Sequence, residues 1–207
     1  MALSFSFTSS RPSRQTLEIY KRRMELMGLG NMINGPTTVE ELKDLVGDRW
    51  RKPHKACDEV YPKVFVGGEK AARDTDLLKS LGITHILNVA CTDVVITDMF
   101  YRQKGFKCTT SGIPAEDTFT CNIKPFFEES NRFIEVAIRT HGKILIHGKE
   151  GTSRAPTFAM AYLMMRKNMS ALEAVKAVRS KRMANPNEGF LKQLVEIDER
   201  LRKEREI

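Results

Sequence analysis

Few folds accommodate the run Ile144-Leu-Ile-His-Gly-Lys-Glu-Gly-Thr-Ser-Arg154 followed by Ala155-Pro-Thr-Phe-Ala-Met-Ala-Tyr-Leu-Met-Met165. Its β-branched, apolar start suits a buried strand, a glycine-punctuated loop ends that strand, and the Ala-, Met- and Leu-rich stretch beyond favours a helix. In a strand-loop-helix of this kind, consecutive backbone N–H groups and the positive end of the helix dipole converge on one point, which favours an anion. Arg154, at the end of the loop, adds a planar fork of donors matched to phosphate.

The surrounding chain alternates in a way that gives this turn a sheet to sit on. Residues 64–66 and 84–88 read as short buried strands around a helix over 70–81, and residues 106–111 as a further strand. A long helix over 123–139 carries its apolar face on Phe126, Phe127, Phe133, Ile134 and Ile138. Residues 143–147 form the central strand, and helices over 154–167, 170–181 (N-capped by Ser170) and 188–203 follow. Alternating strands and helices with an anion loop at a strand's C-terminal end predict an α/β fold, a central mostly parallel sheet flanked by helices on both faces.

Ahead of this region, residues 37–46 read as a helix with a capping box, either Thr37 with Glu40 or Thr38 with Glu41. Residues 15–27 place Leu17, Tyr20, Met24 and Met27 at helical spacing before Gly28, Gly30 and Asn34-Gly-Pro36 break the pattern. We expect 1–36 to be a flexible N-terminal extension and 37–207 to be one domain. Arg49-Trp-Arg-Lys-Pro53 is a basic link in which Trp50 serves packing.

Charge narrows the partners. Thirty-four basic against twenty-six acidic residues give a formal +8, which suits an anionic partner, but no basic block or nucleic-acid signature stands out, so nucleic acid is not expected. No apolar run has transmembrane length, and the start lacks a signal-peptide pattern. Cys57, Cys91, Cys108 and Cys121 show no paired spacing and read as free thiols in a reducing compartment, cytoplasmic and/or nuclear. Nothing calls for a metal or other cofactor.

The loop resembles the signature of the cysteine-dependent protein phosphatases, His-Cys-x-x-Gly-x-Ser/Thr-Arg, over His147 to Arg154, with Gly148 where that family carries its nucleophilic cysteine. The resemblance extends over residues 58–202 to the small atypical dual-specificity phosphatases of the vaccinia-H1-related type. Its other matching stretches are Asp58-Glu-Val-Tyr-Pro, Leu81-Gly-Ile-Thr-His-Ile-Leu-Asn88, Ala115-Glu-Asp-Thr118 and Asn185-Pro-Asn-Glu-Gly-Phe-Leu-Lys-Gln-Leu194.

That resemblance assigns roles. Arg154 would bind phosphate, Ser153 would be the hydroxyl that stabilises a thiolate and its departure, and Lys149, Glu150, Gly151 and Thr152 would supply loop amides, with Glu150 bracing the arginine. Asp117 would be the general acid, Asn187 would support the loop from behind, and His147 would be buried behind it. In the family a thiolate attacks phosphorus and water hydrolyses the phosphocysteine. Gly148 has neither thiol nor hydroxyl, so that covalent route is absent. Cys121, just past Asp117, is the thiol to consider as a substitute, but attack demands in-line geometry that another segment rarely supplies.

Two readings follow from the resemblance. In one, the chain is a catalytically inactive phosphatase-like protein that binds phosphorylated Ser, Thr or Tyr proteins, similar to the STYX-type pseudophosphatases, where glycine also stands at the cysteine position; phosphorylated kinases of the mitogen-activated type are the partners implied. In the other, it is an active dual-specificity phosphatase carrying a Cys-to-Gly change. A lipid- or RNA-directed relative shares the same loop and is the third reading.

Overall fold

The computed structural model describes residues 36–47, 55–108 and 112–205. The expected helix over 15–27, the glycine breaks after it up to Gly35, and the Trp50 link lie outside these residues.

Five strands form one mixed sheet. A hairpin opens it: β1 (Cys57–Tyr61) turns through Pro62 and Lys63 into antiparallel β2 (Val64–Gly67). β3 (Ile83–Asn88), β4 (Lys107–Cys108) and β5 (Lys143–His147) complete the order β1-β2-β5-β3-β4, with β5 parallel to both of its neighbours. The sequence pattern missed β1, and only two residues of the expected 106–111 strand pair with the sheet; 109–111 lie outside the described residues.

Strand alternation feeds two cores. Val64, Val66, Leu87, Ile144 and Ile146 face one side, packed by α1 (Val39–Gly47), α5 (Phe127–Arg139), α6 (Arg154–Lys167), α7 (Ala171–Arg179) and α8 (Glu188–Arg205). Phe65, Ile86 and Leu145 face the other, covered by α2 (Glu69–Arg73), α3 (Thr75–Ser80) and α4 (Asp98–Gln103). The sheet is thus covered on both faces, as expected.

Local chemistry explains where the helix boundaries depart from the pattern. The single helix expected over 70–81 is two, because Asp74 leaves helical geometry and its carboxylate caps Leu77 N–H at 2.9 Å. At α1 the capping box is Thr38 with Glu41; Thr37 is instead buried, its hydroxyl donating to Asp198 at 2.7 Å. Lys124–Phe126 winds as a 3₁₀ turn, so α5 begins at Phe127. Ser170 and Glu173 complete a reciprocal cap on α7. α6 is buried from Arg154 to Met164, which fits its Ala- and Met-rich composition: it is the central helix of the larger core, with no wet face.

Candidate active site

β5 ends at His147 and α6 begins at Arg154, so residues 148–153 form a loop at the C-terminal edge of the parallel strands. Four successive carbonyls of this loop are held from outside. Lys149 O accepts from Glu69 N–H at 2.8 Å, Glu150 O from Arg182 Nη2 at 3.3 Å, Gly151 O from Arg182 Nε at 2.8 Å, and Thr152 O from Asn185 N–H at 2.6 Å. In a trans peptide the C=O of one residue and the N–H of the next point in opposite directions. Pinning those carbonyls outward therefore turns the amides of Glu150, Gly151, Thr152 and Ser153 inward. Among the described residues, no amide from Lys149 to Ser153 donates to a protein acceptor. They line a cavity of about 280 Å³ together with Asp93, Asp117, Gly148, Arg154 and Ala155.

Two glycines in the loop have opposite constraints. Gly151 has φ +71°, and a Cβ there would lie 2.2 Å from Gly67 O, so only glycine lets the loop pass β2. A Cβ on Gly148 would meet nothing closer than 3.9 Å, at Ala155 N, Ala90 Cβ and Arg154 Cβ. The backbone at Gly148 is not of the left-handed kind, and a Cβ fits there.

Arg154 is buried, and its guanidinium is aimed. Nη1 donates to Ala115 O at 2.9 Å and pairs with Asp93 Oδ2 at 2.8 Å, while Nε lies 3.6 Å from Asp117 Oδ2. Among the described residues Nη2 has no partner, which leaves donors for a ligand in the cavity. Glu150 does not brace this arginine, contrary to expectation. Its side chain is exposed, and Asp93, which sequence reasoning did not select, holds Arg154 instead.

Asp117 reaches the same cavity from the loop between β4 and α5. Its Oδ1 accepts from Ser153 Oγ at 2.7 Å and from Asn187 Nδ2 at 2.9 Å. Asn187 therefore supports the aspartate rather than the phosphate loop; support of the loop from that segment comes from the Asn185 backbone. Ser153, expected to face the nucleophile position, spends its proton on Asp117. Asp117, Ser153 and Arg154 line one cavity with residues 148–152, with Asp117 as an acceptor in this geometry, whereas His147 and Asn187 do not line it.

His147 is fully buried, with Nε2 3.2 Å from the Tyr101 hydroxyl. Burial pushes its pKa down to about 4, partly opposed by the Gly148 backbone, although Nδ1 makes no hydrogen bond of good geometry. The ring is neutral near pH 7. Burial likewise raises Tyr101. Cys121 does not line the cavity: it is half-buried, and its carbonyl accepts from Gln193 Nε2 at 2.8 Å. It is not placed to act as a nucleophile in this cavity. Cys91 and Cys108 line a separate cavity and have thiols raised by burial.

A parallel strand running into an amide-lined loop, closed by an arginine at a helix start, defines the protein-tyrosine phosphatase fold. Within that class, residues 64–200 match the catalytic domain of the dual specificity phosphatases, and the chain belongs to this family. Human dual specificity protein phosphatase 13B is 36% identical over 170 residues, covering 82% of this chain and 86% of that protein. Among solved structures, the human tyrosine phosphatase-like serine/threonine/tyrosine-interacting protein superposes with a TM-score of 0.61 at 30% identity, covering 69% of this chain and 95% of that one. A mouse putative dual specificity phosphatase complexed with zinc tungstate gives 0.62 at 28% identity, over 76% and 95% of the two chains.

Proposed function

We propose that this chain is a dual-specificity phosphatase-like protein that captures phosphorylated Ser, Thr or Tyr side chains without turning them over. One observation carries the reading: the phosphate loop is complete in amides and arginine, yet Gly148 stands at its base with no nucleophilic atom. Two further observations support it. Ser153 is engaged with Asp117, and Cys121 is absent from the cavity lining. The resemblance to the serine/threonine/tyrosine-interacting protein points the same way, and phosphorylated kinases of the mitogen-activated type are the partners it suggests. Free thiols among the described cysteines suit a reducing cytoplasm or nucleus.

A second reading rests on the space at Gly148. Because a Cβ there meets no atom closer than 3.9 Å, the loop also suits an active phosphatase whose cysteine has been replaced. Phosphate release from a small aryl phosphate addresses both readings. The chain as it stands is expected to be silent. Turnover by Gly148→Cys, lost again with Asp117→Ala, would show a catalytic frame lacking only its nucleophile; silence of both would leave binding alone. Turnover by the unaltered chain would refute the proposal. Arg154→Met separates pocket capture from surface docking, because it removes the phosphate fork and leaves the outer surface unchanged; partner binding that survives it does not depend on phosphate.

A further inference from the structure

Arg182 is the second buried arginine of the described chain, 2% exposed, on the opposite side of the phosphate loop from Arg154. It holds two of the loop's carbonyls but does not itself line the cavity. Burying a guanidinium is costly unless every donor finds a partner, and here the partners form a pattern. Nη1 pairs with Asp58 Oδ2 at 2.8 Å and reaches Lys55 O at 3.2 Å, while Nε and Nη2 grip Gly151 O and Glu150 O. Asp58 belongs to β1, at the sheet edge, and Arg182 follows α7; one side chain therefore ties the loop to two elements distant in sequence.

We infer that Arg182, held by Asp58, is a positioning residue that sets the loop's affinity for phosphoanions by aiming the amides of Gly151 and Thr152 into the cavity. Three features make the arginine specific for this task. Its rigid fork holds two successive carbonyls in one fixed geometry, whereas the three donors of an ammonium rotate freely. By gripping the carbonyl side of those peptides it fixes the direction of the following N–H groups. Its charge polarises the same peptides, strengthening the inward donors. Gly151 heightens the need for it, because glycine brings more backbone freedom to a loop than any other residue type.

The inference rests on the reading of this loop as a phosphate site, and the test separates the two. Inorganic phosphate is titrated into the full chain while the amide resonances of residues 149–153 are followed by NMR, well below the melting temperature. The unaltered chain is expected to bind, with Gly151 and Thr152 among the shifted amides. Arg182→Met is expected to weaken binding by about tenfold or more, since small misplacement of convergent groups is costly. Arg182→Lys, which keeps the charge but not the fork, is expected to fall between. A purely structural role would lower the melting temperature and leave affinity and amide pattern unchanged. If folded Arg182→Met binds phosphate as the unaltered chain does, this inference is overturned and the binding function stands. If Arg182→Met does not fold, Arg182→Lys and Asp58→Asn decide by the same measurement, and unchanged affinity in both overturns it. Failure of the unaltered chain to bind phosphate would overturn the binding function and this inference together.

Discussion

Gly148→Cys tests electrostatics as well as chemistry. The added Cβ has neighbours no closer than 3.9 Å and sits on an ordinary backbone, so the folded state accepts it without strain. Loss of glycine freedom in the unfolded chain then raises stability by about 0.4–1 kcal/mol. The loop amides and the start of α6 favour a thiolate at this position. Two unit charges roughly 4 Å apart at an effective dielectric near 20 repel by about 4 kcal/mol, and each 1.4 kcal/mol is about a factor of ten in affinity. A phosphonate ligand, counted as one effective charge facing the thiolate, should thus bind the glycine chain between about tenfold and a thousandfold more tightly than Gly148→Cys, the lower figure applying if solvent screens the pair. Calorimetric titration with a non-hydrolysable phosphonate peptide measures this at neutral pH. Gly148→Ser, similar in size but uncharged, should bind nearly as the glycine chain does. The gap between cysteine and serine variants should narrow at acid pH as the thiol protonates. Equal affinity of the three proteins at neutral pH would refute the reasoning.

Gly151→Ala places a Cβ 2.2 Å from Gly67 O at φ +71° and should cost more than about 2 kcal/mol in thermal or urea unfolding, with loss of phosphate binding; a wild-type melt would mean that the loop passes β2 differently. Asp117→Asn removes one of the two acidic side chains that hold Arg154 at the cavity, and we expect several-fold tighter phosphonate binding by calorimetry. Weaker binding would show that the hold of Asp117 on Ser153 matters more than its charge. His147, lowered to about 4 by burial, binds fewer protons folded than unfolded between that value and about 6.5. Its contribution, on the order of 3 kcal/mol, is complete above pH 6.5 and lost as the pH falls towards 4. Buried His85, also lowered, adds the same sign. Urea unfolding from pH 4 to 7 should show this slope, and His147→Gln should flatten it; an unchanged slope would assign it elsewhere.

Two predicted features were misplaced because local pattern does not see tertiary partners. Asp74 interrupts what periodicity alone reads as one helix, and Asn187, expected behind the phosphate loop, faces Asp117 instead. Glu150 fails as a brace for a related reason: a residue within the loop is confined by the direction of its own backbone, and here that leaves its side chain exposed. Asp93 carried one usable signal, its place a few residues beyond the strand predicted over 84–88. Arg182 carried none, since Ser180-Lys-Arg182 reads as a solvated helix end.

The sequence by itself determined what is contiguous: the strand, glycine loop and arginine of residues 144–154, the helix behind them, the absence of a nucleophile at Gly148, and the α/β class implied by alternating elements. These depend on local backbone preference and on period, which short segments carry. Only the tertiary structure decided which groups aim the loop. Asp93 and Arg154 are separated by 61 positions and Asp58 and Arg182 by 124, yet each pair lies 2.8 Å apart. Parallel strands bring their C-terminal ends together through long crossovers, and buried charges select their partners by geometry after that closure.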